Sequence, residues 1–339
     1  MEFELTTEQQ ELSHLIRGIL DDVCPAPVRD RTAAAASQIA EPLAETGLAG
    51  ILVPTTLGGS GATLIEAAVL GEALGAKGAP GAVIASTLIC GAALDLVRDT
   101  DRAKVADTIN VADPCALLVG HDLSWPPGGG TEIAWGWLEG ALVLAPEGEE
   151  LVIASTNGIS AGETADLALP IGRRVGPPAR TRPAIAESEG GRRFLAAANV
   201  IMSSVLLGHM QAALDASVEY AKQRHQYGAP IGSFQAIRHL CADMLVDVDA
   251  SRSAAYGAAW TVATSDDVDE VERSAAVAKA WCSEAGLRVC ETALQVHGGI
   301  GFTWESVMND HLRSTHVACA SFMPLEQALD VVAGARAWI

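Results

Sequence analysis

The sequence RHQYGAPIGSFQAIRHLCADM, residues Arg224–Met244, is the most informative stretch of this chain. It joins a loop rich in arginine, aromatic and glycine residues to the start of a helix with apolar periodicity. A guanidinium in such a loop can hold a pyrophosphate through two hydrogen bonds where glycine permits close backbone approach. An arginine at this position can also cap the C-terminus of the preceding helix, and the spacing alone favours that simpler interpretation.

A second glycine-containing stretch, QVHGGIGFTWE, spans Gln295–Glu305. It places Gly298 and Gly299 at a predicted helix end and Gly301 two residues later. Backbone amides in such a turn can face a ligand without obstruction by side chains. Glycine also ends helices in many proteins without any ligand, so this stretch alone does not decide between the two interpretations.

The chain as a whole divides into three parts. Residues 1–110 are rich in Ala and Leu with helix-capping signals, which predicts an N-terminal helical domain. Residues 111–193 contain short β-branched or leucine-rich runs between Pro- and Gly-rich segments, which predicts a small central β domain. Helical periodicity returns in residues 194–339, where four helices are predicted. Two apolar stripes support the first two of these helices: Leu207, Met210, Leu214, Val218 and Ala221, then Ile237, Cys241, Met244, Val248 and Ala255.

Composition excludes several classes of function. The chain has 339 residues and a net charge of -20, and such an acidic protein is repelled by nucleic acid phosphates and anionic lipid surfaces. No secretory signal is expected at the N-terminus, and no stretch is expected to be long and apolar enough to span a membrane. The seven cysteines are scattered without a C-x-x-C pair, so we expect reduced thiols in a cytoplasmic protein and no zinc site.

The two glycine-containing stretches together resemble the acyl-CoA dehydrogenase family. Its members carry R-x-x-F/Y-G-x-x-I-x-x-F-Q and Q-x-x-G-G-x-G-F/Y segments, and GLAGILVPTTLGGSGATLIEAAVLGEALG, residues 47–75, has the character of the family's N-terminal lobe. The resemblance implies an α+β, mainly α fold with an N-terminal helical domain, a small central β domain and a C-terminal four-helix bundle. It also implies dimers or tetramers with FAD at the subunit interfaces.

The resemblance implies six cofactor-binding residues: Arg224, Gln226, Tyr227, Gln295, Gly298 and Gly299. The first three would reach the FAD pyrophosphate and its surroundings, and the last three would line its adenosine side. In the family, these bundle residues serve a flavin that is held mainly by the neighbouring subunit. The chain is therefore expected to contribute to a shared site.

The sequence departs from the family where a catalytic base is expected. A buried Glu normally removes the α-proton of the thioester, because burial raises the pKa of a carboxyl towards the working range. One family position for this Glu falls near Phe322, and the other, an E-R pair, is replaced by Ala198 and Asn199. Glu305 and Glu326 are the nearest carboxylates, and we interpret both as structural. No catalytic residue is therefore expected in this chain.

The central part also departs from the family. The stretch AWGWLEG, Ala134–Gly140, resembles only in general character the strand that faces the flavin in the family. Trp135 and Trp137 in this stretch are as compatible with packing as with stacking on a flavin. We therefore do not expect this chain to hold a complete FAD by itself. Four histidines lie near the proposed site: His209, His225, His239 and His297. Because they have no partners at ligand spacing, no metal is expected.

The leading hypothesis is a base-lacking subunit of a heteromeric acyl-CoA dehydrogenase, of the kind found in actinobacterial steroid side-chain degradation. A second, complete subunit would supply the catalytic Glu in an α2β2 assembly with FAD at the mixed interface. An acyl-CoA would be the substrate, and electron-transfer flavoprotein would be the electron acceptor. Two alternatives remain: a self-sufficient homomer with a relocated base, and a non-enzymatic scaffold or acyl-CoA-binding protein.

Overall fold

The computed structural model describes residues 5–24, 33–96, 114–125, 132–147, 150–154, 156–174, 180–186 and 188–334. Helices form both ends of the chain and a seven-stranded sheet lies between them. The predicted α+β, mainly α fold with this order of parts is confirmed.

The N-terminal part is helical. Its elements are α1 (Thr7–Val23), α2 (Ala33–Glu45), α3 (Leu64–Ala76), α4 (Gly81–Ile84) and α5 (Cys90–Asp95), the last two joined by a π-helical turn at Ala85–Ile89. Thr6 caps α1 and Thr63 caps α3, each in a reciprocal capping box. These boxes satisfy backbone N–H groups that have no partner inside the helix.

The central part forms one sheet. Its strands are β1 (Cys115–Gly120), β2 (Glu132–Trp135), β3 (Leu142–Glu147), β4 (Glu150–Ala154), β5 (Ile159–Gly162), β6 (Ile171–Arg174) and β7 (Arg180–Ala186). Their order is β5-β6-β2-β1-β3-β4-β7, with a parallel pairing between β1 and β3 and antiparallel pairings elsewhere. Successive side chains of β1 alternate between two cores, because Leu117 packs with the helices whereas Leu118 packs in a small core within the sheet.

The C-terminal part is a bundle of long helices. Its elements are α6 (Ser188–Gln223), a hairpin of β8 (His225–Gln226) and β9 (Ala229–Pro230), α7 (Gln235–Thr264), α8 (Val268–His297), α9 (Val307–Ala320) and α10 (Leu325–Gly334). Helix α9 was not among the four helices predicted from the sequence. It lies between the helices that correspond to the third and the fourth of them, α8 and α10. Helix α6 begins six residues before the proposed boundary at residue 194, and the boundary near residue 110 lies outside the described residues.

Helix α6 is the central helix of the bundle. Contrary to the expectation from the sequence, its segment Glu189–Gln223 is long and apolar enough to cross a membrane by length and composition. However, 89% of its most apolar window is buried inside the protein. Its apolar character is therefore accounted for by packing on α3, α7, α8 and α9.

Glycines set the close contact between α3 and α6. A Cβ atom on Gly75 would lie 2.1 Å from the carbonyl oxygen of Val205, and one on Gly208 would lie 2.0 Å from that of Glu72. Both clashes involve backbone atoms, which cannot move aside as the end of a side chain can. The two helix axes therefore approach each other only because these positions lack a side chain.

A buried polar network ties three helices together. Glu72 of α3 accepts hydrogen bonds from Arg252 (3.0 Å) and from the Tyr256 hydroxyl (2.8 Å), both on α7. Arg252 also donates to Gln211 of α6 at 2.8 Å. Because the carboxylate is nearly buried, these charge-assisted bonds fix the relative positions of α3, α6 and α7. The network borders a groove of about 800 Å³ between α1, α3 and α7.

Replacing Gly208 by alanine tests the close contact. We expect Gly208→Ala to lower the free energy of unfolding by about 3 kcal/mol or to prevent folding, since the new methyl group meets fixed backbone. Gly257→Ala on α7 is the matched control. Its new methyl group would meet open space, so a gain of about 0.5–1 kcal/mol is expected. Urea unfolding of the purified variants measures both, and equal stabilities would contradict the prediction.

Candidate functional site

The two glycine-containing stretches meet at one end of the bundle. Tyr220, in the last turn of α6, stacks on His297, the last residue of α8, with ring centroids 4.6 Å apart and planes inclined by 21°. Arg224 follows Tyr220 by one helical turn, and Gly298 follows His297 directly. The tertiary structure therefore brings the predicted pyrophosphate-binding and adenosine-binding segments to the same end of the molecule.

The hairpin after α6 displays Tyr227. Its turn residues Tyr227 and Gly228 have φ angles of 55° and 84°, as in the two-residue hairpin turns in which both central residues are left-handed. This conformation is uncommon for a non-glycine residue, and such strained positions cluster at ligand-binding sites. The Tyr227 side chain is 95% exposed, and its ring packs edge-on against Phe234.

The Arg224 side chain points away from the protein interior. It is exposed and has no hydrogen bond or ion pair with the part of the chain that the structure describes. Only its backbone is engaged: the N–H donates to the Tyr220 carbonyl, and the carbonyl accepts from the N–H of Ile231, each at 2.8 Å. The simpler interpretation, a guanidinium that caps the end of α6, therefore has no support in the structure.

The glycine turn after α8 is open on its outer side. Gly298 has φ 63° and ψ -144°, a conformation that residues with a side chain rarely adopt. A Cβ on Gly298 or Gly299 would meet nothing within 4 Å. By contrast, a Cβ on Gly301 would approach the Leu294 carbonyl oxygen at 3.1 Å, so this glycine packs the turn against α8. Gln295 is exposed beside the turn.

These groups suit a dinucleotide that carries a pyrophosphate. The guanidinium of Arg224 supplies positive charge, the amides of Gln226 and Gln295 supply donors and acceptors, and the Gly298 backbone is accessible. None of the three side chains is already committed to a hydrogen bond within the described residues. The chemistry of this donor set fits the FAD that the resemblance implies.

Large apolar side chains surround these polar groups and remain exposed. They are Tyr227, Phe234, Ile300, Phe302 and Trp304. The guanidinium of Arg313 lies 4.5 Å from the centre of the Trp304 ring. Exposed apolar surface of this kind, next to polar groups that lack partners, is typical of an interface with another chain.

The positions expected for a catalytic base contain no carboxylate. Phe322 is fully buried, and its ring lies 5.3 Å from that of Trp135, the residue on the strand that resembles the flavin-facing one. Trp125 and Phe194 form a second buried aromatic pair at 5.5 Å. The Phe322 backbone pairs with the β domain through its N–H to the Leu123 carbonyl and its carbonyl to the Trp125 N–H, each 2.8 Å. Packed aromatic side chains therefore fill the region around Phe322, the position at which a catalytic base was expected.

The second expected position lies inside α6. Ala198 and Asn199 are fully buried, and the Asn199 amide nitrogen donates to the Leu195 carbonyl at 2.8 Å, whereas its side-chain oxygen has no partner. An amide has no proton affinity comparable to that of a carboxylate. Glu305 and Glu326 are exposed, unlike the buried Phe322.

Buried Lys279 binds the backbone at the end of α9, shortly before Phe322 in the sequence. Its ammonium donates to the carbonyls of Ala318 and Cys319 at the end of α9, each at 2.8 Å. Burial lowers the pKa of Lys279 to about 8, because the charged form loses its hydration. The two carbonyls lie at the negative end of the helix and compensate for part of that loss.

The histidines near the proposed site, for which no metal was expected, lie in different surroundings. His297 belongs to the stack at the bundle end and His225 to the hairpin, but His209 is buried against His311, with their Nδ1 atoms 2.9 Å apart. Within the described residues, no three His, Cys, Asp or Glu side chains are grouped to hold a metal ion. Tyr220 and His311 belong to neither motif and were not among the predicted site residues, although Tyr220 lies one helical turn before Arg224.

Two alanine substitutions test the glycine turn. Gly298→Ala should lower the free energy of unfolding by about 1–3 kcal/mol, because alanine is strained at positive φ. Gly299→Ala should change it by less than about 0.5 kcal/mol, since its φ is not left-handed and the space around it is open. Thermal unfolding compares the pair, and a stable Gly298→Ala variant would mean that the turn does not require this conformation.

The chain matches two family models and a relative of known family in sequence. Residues 6–102 match the model of the acyl-CoA dehydrogenase N-terminal domain, and residues 192–320 match that of the C-terminal domain. The chain is 30% identical to "Probable acyl-CoA dehydrogenase YngJ" of Bacillus subtilis (strain 168), over 92% of this chain and 93% of the relative.

Two solved structures have the same fold. A chain of the ChsE4-ChsE5 complex from Mycobacterium tuberculosis superposes with a TM-score of 0.81 over 100% of both chains at 23% identity. A chain of the "Tcur3481-Tcur3483 steroid ACAD G363A variant" superposes with a TM-score of 0.77 at 25% identity, over 97% of this chain and 99% of that one.

Proposed function

The chain belongs to the acyl-CoA dehydrogenase family, and we propose that it is the base-lacking subunit of a heteromeric, FAD-dependent member. One contrast carries the proposal. The groups that would face the cofactor, at Arg224 and the Gly298 turn, are exposed and open, whereas the positions of the base are buried and contain no carboxylate. This combination is expected of a chain that contributes residues to its neighbour's cofactor site but has no catalytic base of its own.

The cofactor site proposed for this chain is a shared one. Arg224, Gln226 and Tyr227 would bind the FAD pyrophosphate and its surroundings, and the Gln295–Gly299 segment would line the adenosine side. Their exposure in the single chain fits a flavin held mainly by a second, complete subunit. The exposed apolar residues around them would be covered by that subunit.

The proposed reaction is the α,β-dehydrogenation of an acyl-CoA thioester. FAD, when bound, accepts the β-hydrogen as a hydride. Removal of the α-hydrogen requires a proton acceptor, and neither the Phe322 ring nor the Ala198 methyl group nor the Asn199 amide can act as one. The catalytic Glu of this proposal therefore belongs to the partner subunit.

The Tcur3481-Tcur3483 protein supports a two-component assembly and a steroid acyl-CoA as parts of the proposal, whereas the α2β2 stoichiometry and the steroid side chain are proposed from the family resemblance. That protein is a steroid ACAD named for two components, and its chain is 25% identical to this one. Electron-transfer flavoprotein as the electron acceptor and a cytoplasmic location belong to the same proposal through the family resemblance.

The Arg224 side chain provides the first test. In the complex with the partner, Arg224→Ala should weaken FAD binding about 10- to 100-fold, because the pyrophosphate loses charge-assisted hydrogen bonds. Arg224→Lys should recover only part of the loss, since an ammonium lacks the two-pronged geometry. Lys222→Ala, which removes an exposed cation that pairs with Glu219, is the control and should leave FAD binding unchanged. Flavin absorbance after dialysis measures retention, and full occupancy in Arg224→Ala would refute the assigned role.

The missing base provides the second test. Glu305→Gln and Glu326→Gln should each leave flavin bleaching by acyl-CoA under anaerobic conditions within a few fold of the unmodified complex, because both carboxylates are exposed. Replacing the partner's catalytic Glu by Gln should abolish bleaching. If either change in this chain abolished bleaching while FAD and assembly were kept, the chain would be an active dehydrogenase with a relocated base.

A further inference from the structure

We propose that Tyr220 and His297 are positioning residues whose ring stack sets the spacing between the Arg224 hairpin and the Gly298 turn, so that both can bind one FAD. The inference rests on the proposed function, since it assumes that these two segments bind the same dinucleotide. It extends that function by assigning a role to two side chains that need not touch the cofactor.

The stack is connected to both segments through the backbone. The Arg224 N–H donates to the carbonyl of Tyr220 at 2.8 Å, and the Arg224 carbonyl accepts from Ile231 at the far side of the hairpin. His297 is the last residue of α8 and precedes Gly298 directly. A shift of either ring would therefore move the neighbouring binding segment.

The His297 ring is held in one orientation. Its Nδ1 lies 2.7 Å from the carbonyl oxygen of Ala293, which can only accept, so the imidazole nitrogen is the donor. On its other side, the turn folds back closely enough that a Cβ on Gly301 would lie 3.2 Å from the His297 Cβ. The imidazole is thus fixed between its own helix and the turn, and Tyr220 packs against its face at an inclination of 21°.

The stack is a direct connection between two segments that no hydrogen bond joins. Within residues 188–334, no hydrogen bond links the hairpin at 224–231 to the turn at 298–303. The pyrophosphate and the adenosine of a dinucleotide are covalently spaced, so a loose pair of segments would have to be ordered on binding. Fixing their spacing beforehand lowers that entropic cost and raises affinity.

The test uses the complex of this chain with its partner and measures the dissociation constant of FAD by flavin fluorescence. Tyr220→Leu and His297→Leu, which remove the flat ring at similar size, should each weaken FAD binding about tenfold. Tyr220→Phe keeps a flat ring in place and is the matched control, with binding expected within about twofold to threefold of the unmodified complex. His297→Phe keeps a ring but loses the hydrogen bond to Ala293, so its FAD binding should fall between that of the unmodified complex and that of His297→Leu. The expected effects correspond to about 1.4 kcal/mol for each tenfold change.

Two further readouts separate positioning from general stability. If Tyr220 acts through Arg224, the double variant Tyr220→Leu/Arg224→Ala should bind FAD no more weakly than Arg224→Ala alone. Amide hydrogen exchange in residues 298–303 of the FAD-free complex should become faster in Tyr220→Leu, with exchange in the α7 core unchanged. A purely structural role would instead give additive losses and faster exchange throughout the bundle.

The outcomes distinguish this inference from the proposed function. If both leucine variants assemble and bind FAD within twofold of the unmodified complex while Arg224→Ala does not, the positioning role is wrong and the proposed function stands. If Arg224→Ala also binds FAD normally, the cofactor-binding role assigned to Arg224 in the proposed function is wrong. Should Tyr220→Leu not assemble, His297→Leu and the hydrogen-exchange comparison with His297→Phe decide by the same criteria.

Discussion

The close contact between α3 and α6 is the constraint on which the rest of the molecule depends. Glycines at 75 and 208 let the two backbones meet, and the Glu72 network then holds α7 against them. Helix α6 has 36 residues and is therefore about 54 Å long. It carries Ala198 and Asn199 in its first half and Tyr220 at its far end. One long helix thus connects Ala198 and Asn199, a position at which the family's base was expected, with the segment proposed to bind the cofactor.

Much of the architecture could be predicted from local patterns. The stripe Leu207 to Ala221 has the period of a helix, and all but one of its five residues are buried, because burial of one face is what produces such a pattern. The capping box at Thr6 marked the start of α1. Short runs rich in β-branched residues indicated the sheet, since extended strands favour such residues. Signals of this kind depend on neighbours a few residues apart and are readable in sequence.

The contacts that define the candidate site could not be predicted in this way. Tyr220 and His297 are 77 residues apart, and Trp135 and Phe322 are 187 apart, so no periodicity relates them. The motifs indicated which segments could bind a cofactor. They did not indicate that the Arg224 side chain would be exposed and without a hydrogen bond to the described residues, because that depends on the path of the hairpin. The apolar length of α6 was underestimated, since polar residues such as Ser203 and Ser204 bond to their own helix and are buried with it.

The buried Phe322 bears on whether the proposed division of labour between two subunits could be reversed. A glutamate at this position would place a carboxyl against Trp135 in a fully buried region, with its backbone still held in the left-handed conformation by Leu123 and Trp125. An unpaired carboxyl there costs several kcal/mol and becomes protonated, so it would destabilise the fold without supplying a base. A polar pocket around the carboxyl would require further substitutions among the aromatic side chains that now pack there, such as Trp135. Under the proposed function, aromatic packing at Phe322 would therefore act against a return of the base to this chain and would maintain its dependence on the partner subunit.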